Sequence, residues 1–307
     1  MDARVEGLLR RHGWAPGAVL GEGMEGTVVD VSDDEVAKVW HGRSPDDLRA
    51  LARFGSALAG ASLPFATACA LDLLEDGDVV ITIERKVRGR PLRPDRDPAP
   101  AVVSEDEIRL MGDVLEGLSR VVGSPGLAVL PVLPGEEPFG ATKSFAESLA
   151  DLVEGRFRRF PDLLRREVDD IDALVVAVSA RLRGLPAAET VALIHGDLIP
   201  ANVLVEGGRV SGVLDFGFFT TTGDPQFDAA ITASIFDMYG PQARRSEIAL
   251  SEAFRERFDH DDDRYALYRA AYAIVTNAYF GQDGVDGHFT WCAQMLRRPD
   301  IRAAVAA

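Results

Sequence analysis

Apolar positions change their spacing near residue 100. Before it they fall in short, often alternating runs; beyond it they recur mostly at helical intervals. Residues 3 to 12 predict a short helix. "AVLGEGMEGTVVDV" then predicts strand, glycine turn and strand, and "EVAKVW" a third strand with β-branched residues around Lys38. "SPDDLRALARFGSALAG" predicts a capped helix, with Ser44 as N-cap, Pro45 in the first turn, acids next and Gly60 near the end. Residues 65 to 74 and 78 to 84 predict two more strands, turned by "EDGD". "RGRPLRPDRDPAP" holds four prolines and four arginines, which excludes regular structure. Helical periodicity follows over 104 to 121, 142 to 154, 161 to 183, 226 to 238, 244 to 258, 262 to 280 and 288 to 297, interrupted by two short strands, "NVLVE" and "RVSGVLDF", joined by Gly207 and Gly208. No internal repeat is visible. The expectation is an α+β chain of two lobes: an antiparallel-sheet lobe over 1–88 and a large helical lobe over 89–307 that carries one hairpin.

Composition narrows the partners. The 307 residues are 47% apolar and 27% charged, ordinary for a globular protein with a sizeable core. A net charge of −16 argues against nucleic acid, whose phosphates need clustered Lys and Arg. It suits a cationic small molecule, and equally suits mere solubility. Cys69 and Cys292 form no disulfide framework or zinc spacing, consistent with a reducing cytoplasm. The charged N-terminus does not resemble a signal peptide, and no run is apolar enough to span a bilayer, so no membrane partner is expected.

The chemistry begins at "GEGMEGTV", residues 21 to 28, which matches G-x-G-x-x-G-x-V. Without a Cβ, glycines let backbone N–H groups approach phosphates. A plain hairpin, a flap over a nucleotide and a dinucleotide-binding turn all compete for this stretch. The strand that follows disfavours the last, which needs a helix there. Lys38 lies twelve residues after Gly26 in an apolar strand, where a lysine needs an anion unless it snorkels at an edge.

"LIHGDLIPANVLV" places Asp197 and Asn202 five apart, the spacing of the kinase catalytic loop. There the Asp accepts the proton of an attacking hydroxyl and the Asn offers an amide oxygen to magnesium. Apolar flanks would hold such a loop rigid, and His195 reads as a structural group that hydrogen-bonds backbone. "GVLDFGF" follows thirteen residues after Asn202, with Asp215 at a strand end and Gly217 at the turn. A lone Asp there is usually a cap, but the ordered set of glycine loop, Lys, H-x-D-x-x-x-x-N and D-F-G is hard to reach by accident.

With "HGDLIPANVLV", "GVLDFG" and "GDPQFDAA" at 223 to 230, the chain resembles the aminoglycoside phosphotransferase family of small-molecule kinases over roughly residues 17 to 240. The resemblance implies a bilobal, protein-kinase-like fold and transfer of the γ-phosphate of ATP or GTP to a hydroxyl of a small molecule, often an antibiotic. By motif, Asp197 would be the catalytic base, and Asn202 and Asp215 the ligands of Mg2+. Gly21, Gly23, Met24, Gly26 and Val28 would cover the nucleotide, and Lys38 would contact its α and β phosphates. "ITIERKVRG" resembles the family's hinge, at 84–88, where the backbone of Glu84 and Lys86 would meet the adenine edge and their side chains would matter little. Asp228 reads as a brace for the catalytic loop.

Ten residues from Asp215 to Pro225 leave too little chain for a peptide-docking segment, and no A-P-E follows, which argues against a protein kinase. One departure concerns Lys38, whose expected partner is a helix glutamate. Between Glu35 and Glu75 there is none; Asp46 and Asp47 lie in a first turn, where they read as caps. Either Asp47 reaches the lysine or phosphates alone hold it. For a cationic acceptor, Asp259 and Asp262 in "RERFDHDDDRY" and Asp283 and Asp286 in "FGQDGVDGHF" are candidates, against the plainer reading of solvated loops and helix starts. Aromatics from 265 to 291 read mostly as core, with one or two available to stack on the acceptor. The alternatives are a primary-metabolite kinase of the homoserine or choline type and a regulatory nucleotide-binding module without turnover. The chain is expected to be a monomer or weak dimer.

Overall fold

The protein is described by a computed structural model covering residues 2–23, 25–93, 101–140 and 142–306. Its first part contains α1 (Ala3–Arg11), β1 (Val19–Glu22), β2 (Gly26–Asp30), β3 (Glu35–Trp40), α2 (Pro45–Ala59), β4 (Ala66–Thr67), β5 (Ala70–Asp76) and β6 (Val79–Arg85). Five of these strands form one antiparallel sheet in the order β1-β2-β3-β6-β5. Alternation along β3 and β6 sorts the side chains by face. Ala37, Ile81 and Ile83 point to one side and pack with Val5, Leu8 and Leu9 of α1 and Leu74 of β5. Lys38 pairs with Thr82 on the opposite face, where Trp40 and Val80 pack against Leu48 of α2. Helix α2 starts where the sequence predicts: the Ser44 hydroxyl accepts from Asp47 N–H while the Asp47 carboxylate accepts from Ser44 N–H, a closed capping box.

The second part contains β7 (Arg90–Pro91), α3 (Glu105–Ser119), α4 (Phe145–Arg159), α5 (Pro161–Glu167), α6 (Ile171–Gly184), β8 (Ala192–Ile194), β9 (Val203–Glu206), β10 (Arg209–Val213), β11 (Thr221–Gly223), α7 (Pro225–Ile235), α8 (Ala243–Phe258), α9 (Asp262–Thr276), α10 (Gly287–Arg297) and α11 (Pro299–Ala306). Residues Tyr265 to Thr276 of α9 are all buried, which makes α9 the axis on which α4, α6, α7, α10 and α11 pack. The chain is thus an α+β, kinase-like fold, with a small antiparallel sheet and a large helical lobe.

Several expectations need correction: the proline- and arginine-rich stretch, read as free of regular structure, contributes β7, and β8 and β11 add two strands to the pair expected in the helical part. The helix expected over 161 to 183 is two helices, because Asp170 adopts a left-handed conformation (φ 55°) between them. The strand expected over 65 to 74 is also two pieces: β5 joins the sheet, while β4 runs parallel to β10. Helix α11, after Pro299, is additional. The β9–β10 hairpin forms as expected and is flanked by β7 and β4, so the segments entering and leaving the small sheet are both stitched to it.

Candidate active site

His195 directly follows strand β8 and is fully buried. Its ring donates from Nε2 to the carbonyl of Leu214 at 2.8 Å and accepts at Nδ1 from Asp197 N–H at 3.2 Å. That pattern requires the neutral tautomer, and burial pushes the imidazole pKa down despite the nearby Asp228. The ring therefore shapes the loop, as expected from sequence. Asp228, near the start of α7, accepts from His195 N–H and Gly196 N–H, both at 2.9 Å, which braces the loop from below. Gly196 has φ 85°, and a Cβ there would lie 2.5 Å from Phe219 Cβ. The position therefore admits only glycine.

Beyond Gly196 the chain turns through a short 3-10 segment, Pro200–Asn202. Asn202 is buried, and its Nδ2 donates to the Asp197 carbonyl at 3.0 Å. Leu214 N–H donates to the Asn202 carbonyl at 2.9 Å, tying the entry of β9 to the exit of β10. Asp215 follows, exposed to the cleft and in a left-handed conformation (φ 58°). Phe216 is buried between His195 and Phe54 of α2, with ring centroids at 4.5 and 5.5 Å. Thr220 Oγ1 accepts from Gly217 N–H and donates to the His195 carbonyl, each at 2.8 Å, closing the H-G-D and D-F-G segments into one unit.

Lys38 crosses from the small sheet to this unit. Its side chain is 11% exposed, and Nζ donates to Asp215 Oδ1 at 2.8 Å, lies 3.6 Å from Glu25 Oε2 and stands 4.0 Å from the Trp40 ring centroid. Burial opposes its charge, yet Asp215 and Glu25 outweigh that and hold the pKa above the ordinary lysine value. Gly26 is required by close approach, since a Cβ would meet the Val39 carbonyl at 2.1 Å. Trp40 Nε1 donates to Thr82 Oγ1 at 2.8 Å, and that hydroxyl donates to Glu84 at 2.6 Å. The Glu84 side chain thus lies on the same sheet face as Lys38, where burial raises its pKa. The N–H of Lys86 is engaged by the Asp34 carbonyl at 2.8 Å, and its ammonium by Asp30 at 2.9 Å.

A cleft of about 940 Å³ separates the lobes. Gly21, Gly23, Gly26, Val28 and Lys38 line one side; Asp197, Asn202 and Asp215 line the other. Met24 lies outside the described residues. The far end is foreseen only in part: one or two aromatics from 265 to 291 are expected to reach an acceptor, and Tyr272, Tyr279 and Phe280 line the cleft, but Phe218, Asp237, Tyr239 and His288 are not expected there. There the lining is Phe218, Tyr272, Tyr279, Phe280 and His288, together with Asp237 and Tyr239. Phe218 meets Tyr279 edge-on at 4.6 Å, and Tyr279 meets Phe280 at 4.8 Å. Asp237 has a buried oxygen with no hydrogen-bond partner among the described residues, and burial raises its pKa against the pull of Arg93. It follows the end of α7 by two residues, in an apolar run with no motif to mark it.

The four acids expected at the acceptor lie outside this lining. Asp259 caps α8 in a left-handed conformation, and Asp262 pairs with Arg255 at 3.3 Å. Asp283 accepts from Val285 N–H in a loop, and Asp286 caps α10 through Phe289 N–H at 2.7 Å. Asp47 likewise serves its capping box and is not the partner of Lys38. No helix among the described residues is long and apolar enough to cross a membrane.

Among solved structures, the fold is similar to macrolide 2′-phosphotransferase MphH from Brachybacterium faecium, at 20% identity and a TM-score of 0.61 over 97% of this chain and 99% of that one. It is equally similar to APH(2″)-IIIa in its GDP and kanamycin complex, at 17% identity and 0.61 over 99% of each chain. Streptomyces rimosus APH(3″)-Id with ADP and streptomycin gives 19% and 0.55 over 89% of this chain and 97% of that one. No curated protein matches the sequence. At such identities the likeness concerns the fold. The sequence itself matches the phosphotransferase enzyme family over residues 17–273. That span runs from just before β1 into α9 and takes in the glycine loop, Lys38, Asp197, Asn202 and Asp215, so the chain belongs to the phosphotransferase enzyme family.

Proposed function

We propose that the protein transfers the γ-phosphoryl group of ATP or GTP to a hydroxyl of a small molecule, with antibiotics as the leading acceptor class. The observation that carries this reading is the convergence of Lys38, Asp197, Asn202 and Asp215 on one inter-lobe cleft. The nucleotide would lie under the glycine loop, its phosphates against Lys38, with the base beside Glu84. The donor set suits magnesium: Asp215 offers carboxylate oxygen, and Asn202, whose amide nitrogen is spent on the Asp197 carbonyl, offers amide oxygen. When bound, the ion would supply charge neutralisation to the phosphates. Asp197 receives the proton of the acceptor hydroxyl as its oxygen attacks, and His195, neutral and buried, keeps the loop in register for that transfer.

The aromatic wall and Asp237 define the acceptor end. They suit a molecule with apolar or sugar-ring faces and a basic group. The similar structures act on macrolides or hold kanamycin or streptomycin, which fits that description. Incubation with Mg-ATP or Mg-GTP and a panel of hydroxylated antibiotics, read by mass spectrometry, should show a product heavier by one phosphoryl group. Asp197→Asn should lower that rate by about 10²–10⁴-fold while nucleotide affinity persists. Unchanged turnover in this variant would remove the assigned base.

A further inference from the structure

Helix α2 packs beside Lys38 but offers it no carboxylate. Asp46 pairs with Arg49 at 2.7 Å, and Asp47 is committed to Ser44. Toward the lysine strand, α2 presents Leu48 and Leu51, packed on Trp40 and Val80. Glu25 occupies the missing place from another direction. It stands between β1 and β2, in the glycine loop, and its carbonyl accepts from His41 N–H at 2.9 Å. One carboxylate oxygen lies 3.6 Å from Lys38 Nζ, and the other accepts from Arg43 Nη2 at 2.6 Å. The space it faces, shared with Trp40, Arg43, Leu48, Leu51 and Phe216, lies on the α2 side of the lysine.

We infer that Glu25 is the positioning residue for Lys38, supplying from the glycine loop the carboxylate that related kinase folds take from the helix. The argument is one of charge and anchoring. Lys38 is nearly buried, so its ammonium needs an anion in every state of the cleft. Asp215 provides one here; once Asp215 turns to a metal-bound nucleotide, Glu25 remains. Arg43 fixes the second carboxylate oxygen, so the first has a set bearing on Nζ. Arg43 also cancels the charge of Glu25, leaving the Lys38–Arg43–Glu25 group net positive toward incoming phosphates. A carboxylate that merely plugged the phosphate site would need no such arginine.

The inference rests on the reading that Lys38 contacts nucleotide phosphates, and the test separates the two. The chain has three lysines, Lys38, Lys86 and Lys143, so ¹³C at lysine Cε gives a spectrum in which Lys38, beside the Trp40 ring, stands apart. In Glu25→Gln, the Lys38 signal should move while those of Lys86 and Lys143, paired with Asp30 and Asp151, stay. The dissociation constant for Mg-ATP or Mg-GTP should rise roughly tenfold. Asp47→Asn should change neither. If the wild type binds neither nucleotide, the reading of Lys38 falls and this inference with it. If the wild type binds and Glu25→Gln binds as well or better, or its Lys38 signal stays put, only the role of Glu25 is overturned.

Discussion

Gly196 shows how much a single position can decide. Its positive φ and the 2.5 Å approach of Phe219 Cβ leave no room for a methyl group. Gly196→Ala should cost about 2–4 kcal/mol of stability, from backbone strain and the forced shift of Phe219, as read by urea denaturation. The residues of this loop were legible in the sequence because part of their bonding is local: the His195 ring accepts from Asp197 N–H and the Asn202 amide donates to the Asp197 carbonyl, all within eight positions. Lys38 and Glu25 were not legible as a pair. Their contact depends on the glycine loop folding back over β3, and a glutamate between two glycines carries no sign of where it will point. Asp237 was hidden for a different reason, since an acid just beyond an apolar helix looks like any other surface residue until the cleft is seen.

At the level of elements, the amphipathic spacing identified most helices, and the Ser44 box placed the start of α2. It could not separate α5 from α6, because the break comes from the backbone of Asp170 and not from a loss of apolar residues. Nor could it tell core aromatics from cleft aromatics. Tyr265 and Tyr268 face inward from α9, whereas Tyr272, one turn on, reaches the cleft at the same helical spacing. Helix α7 carries the clearest load between elements: Asp228 holds two buried N–H groups of the H-G-D loop. Asp228→Ala leaves both without an acceptor. It should lower stability by about 3 kcal/mol and reduce turnover, as measured by denaturant unfolding and initial rates on the same preparation.

For the whole molecule, buried histidines tie stability to pH. Burial depresses His288 to about 4, against 6.5 in the unfolded chain. The unfolded chain therefore binds the extra proton first. The contribution of His288 is complete above pH 6.5 and is lost as pH falls from 6.5 toward 4. The raised carboxyls of Glu84 and Asp237 act in the opposite sense, so a difference between variants is the clean measurement. From pH 7.5 to 5.5, the wild type should lose about 1.3 kcal/mol more than His288→Gln, by chemical denaturation at both pH values.

The hairpin of β9 and β10 sets one further property of the molecule. Asn202 and Asp215 stand at its two open ends, which the bond from Leu214 N–H to the Asn202 carbonyl ties together, while Lys38 reaches in from a separate sheet. Breathing of the lobes therefore changes the lysine's reach and leaves the spacing of the two oxygen donors alone. The seat proposed for the ion is preset, and only the hold on the nucleotide is adjustable.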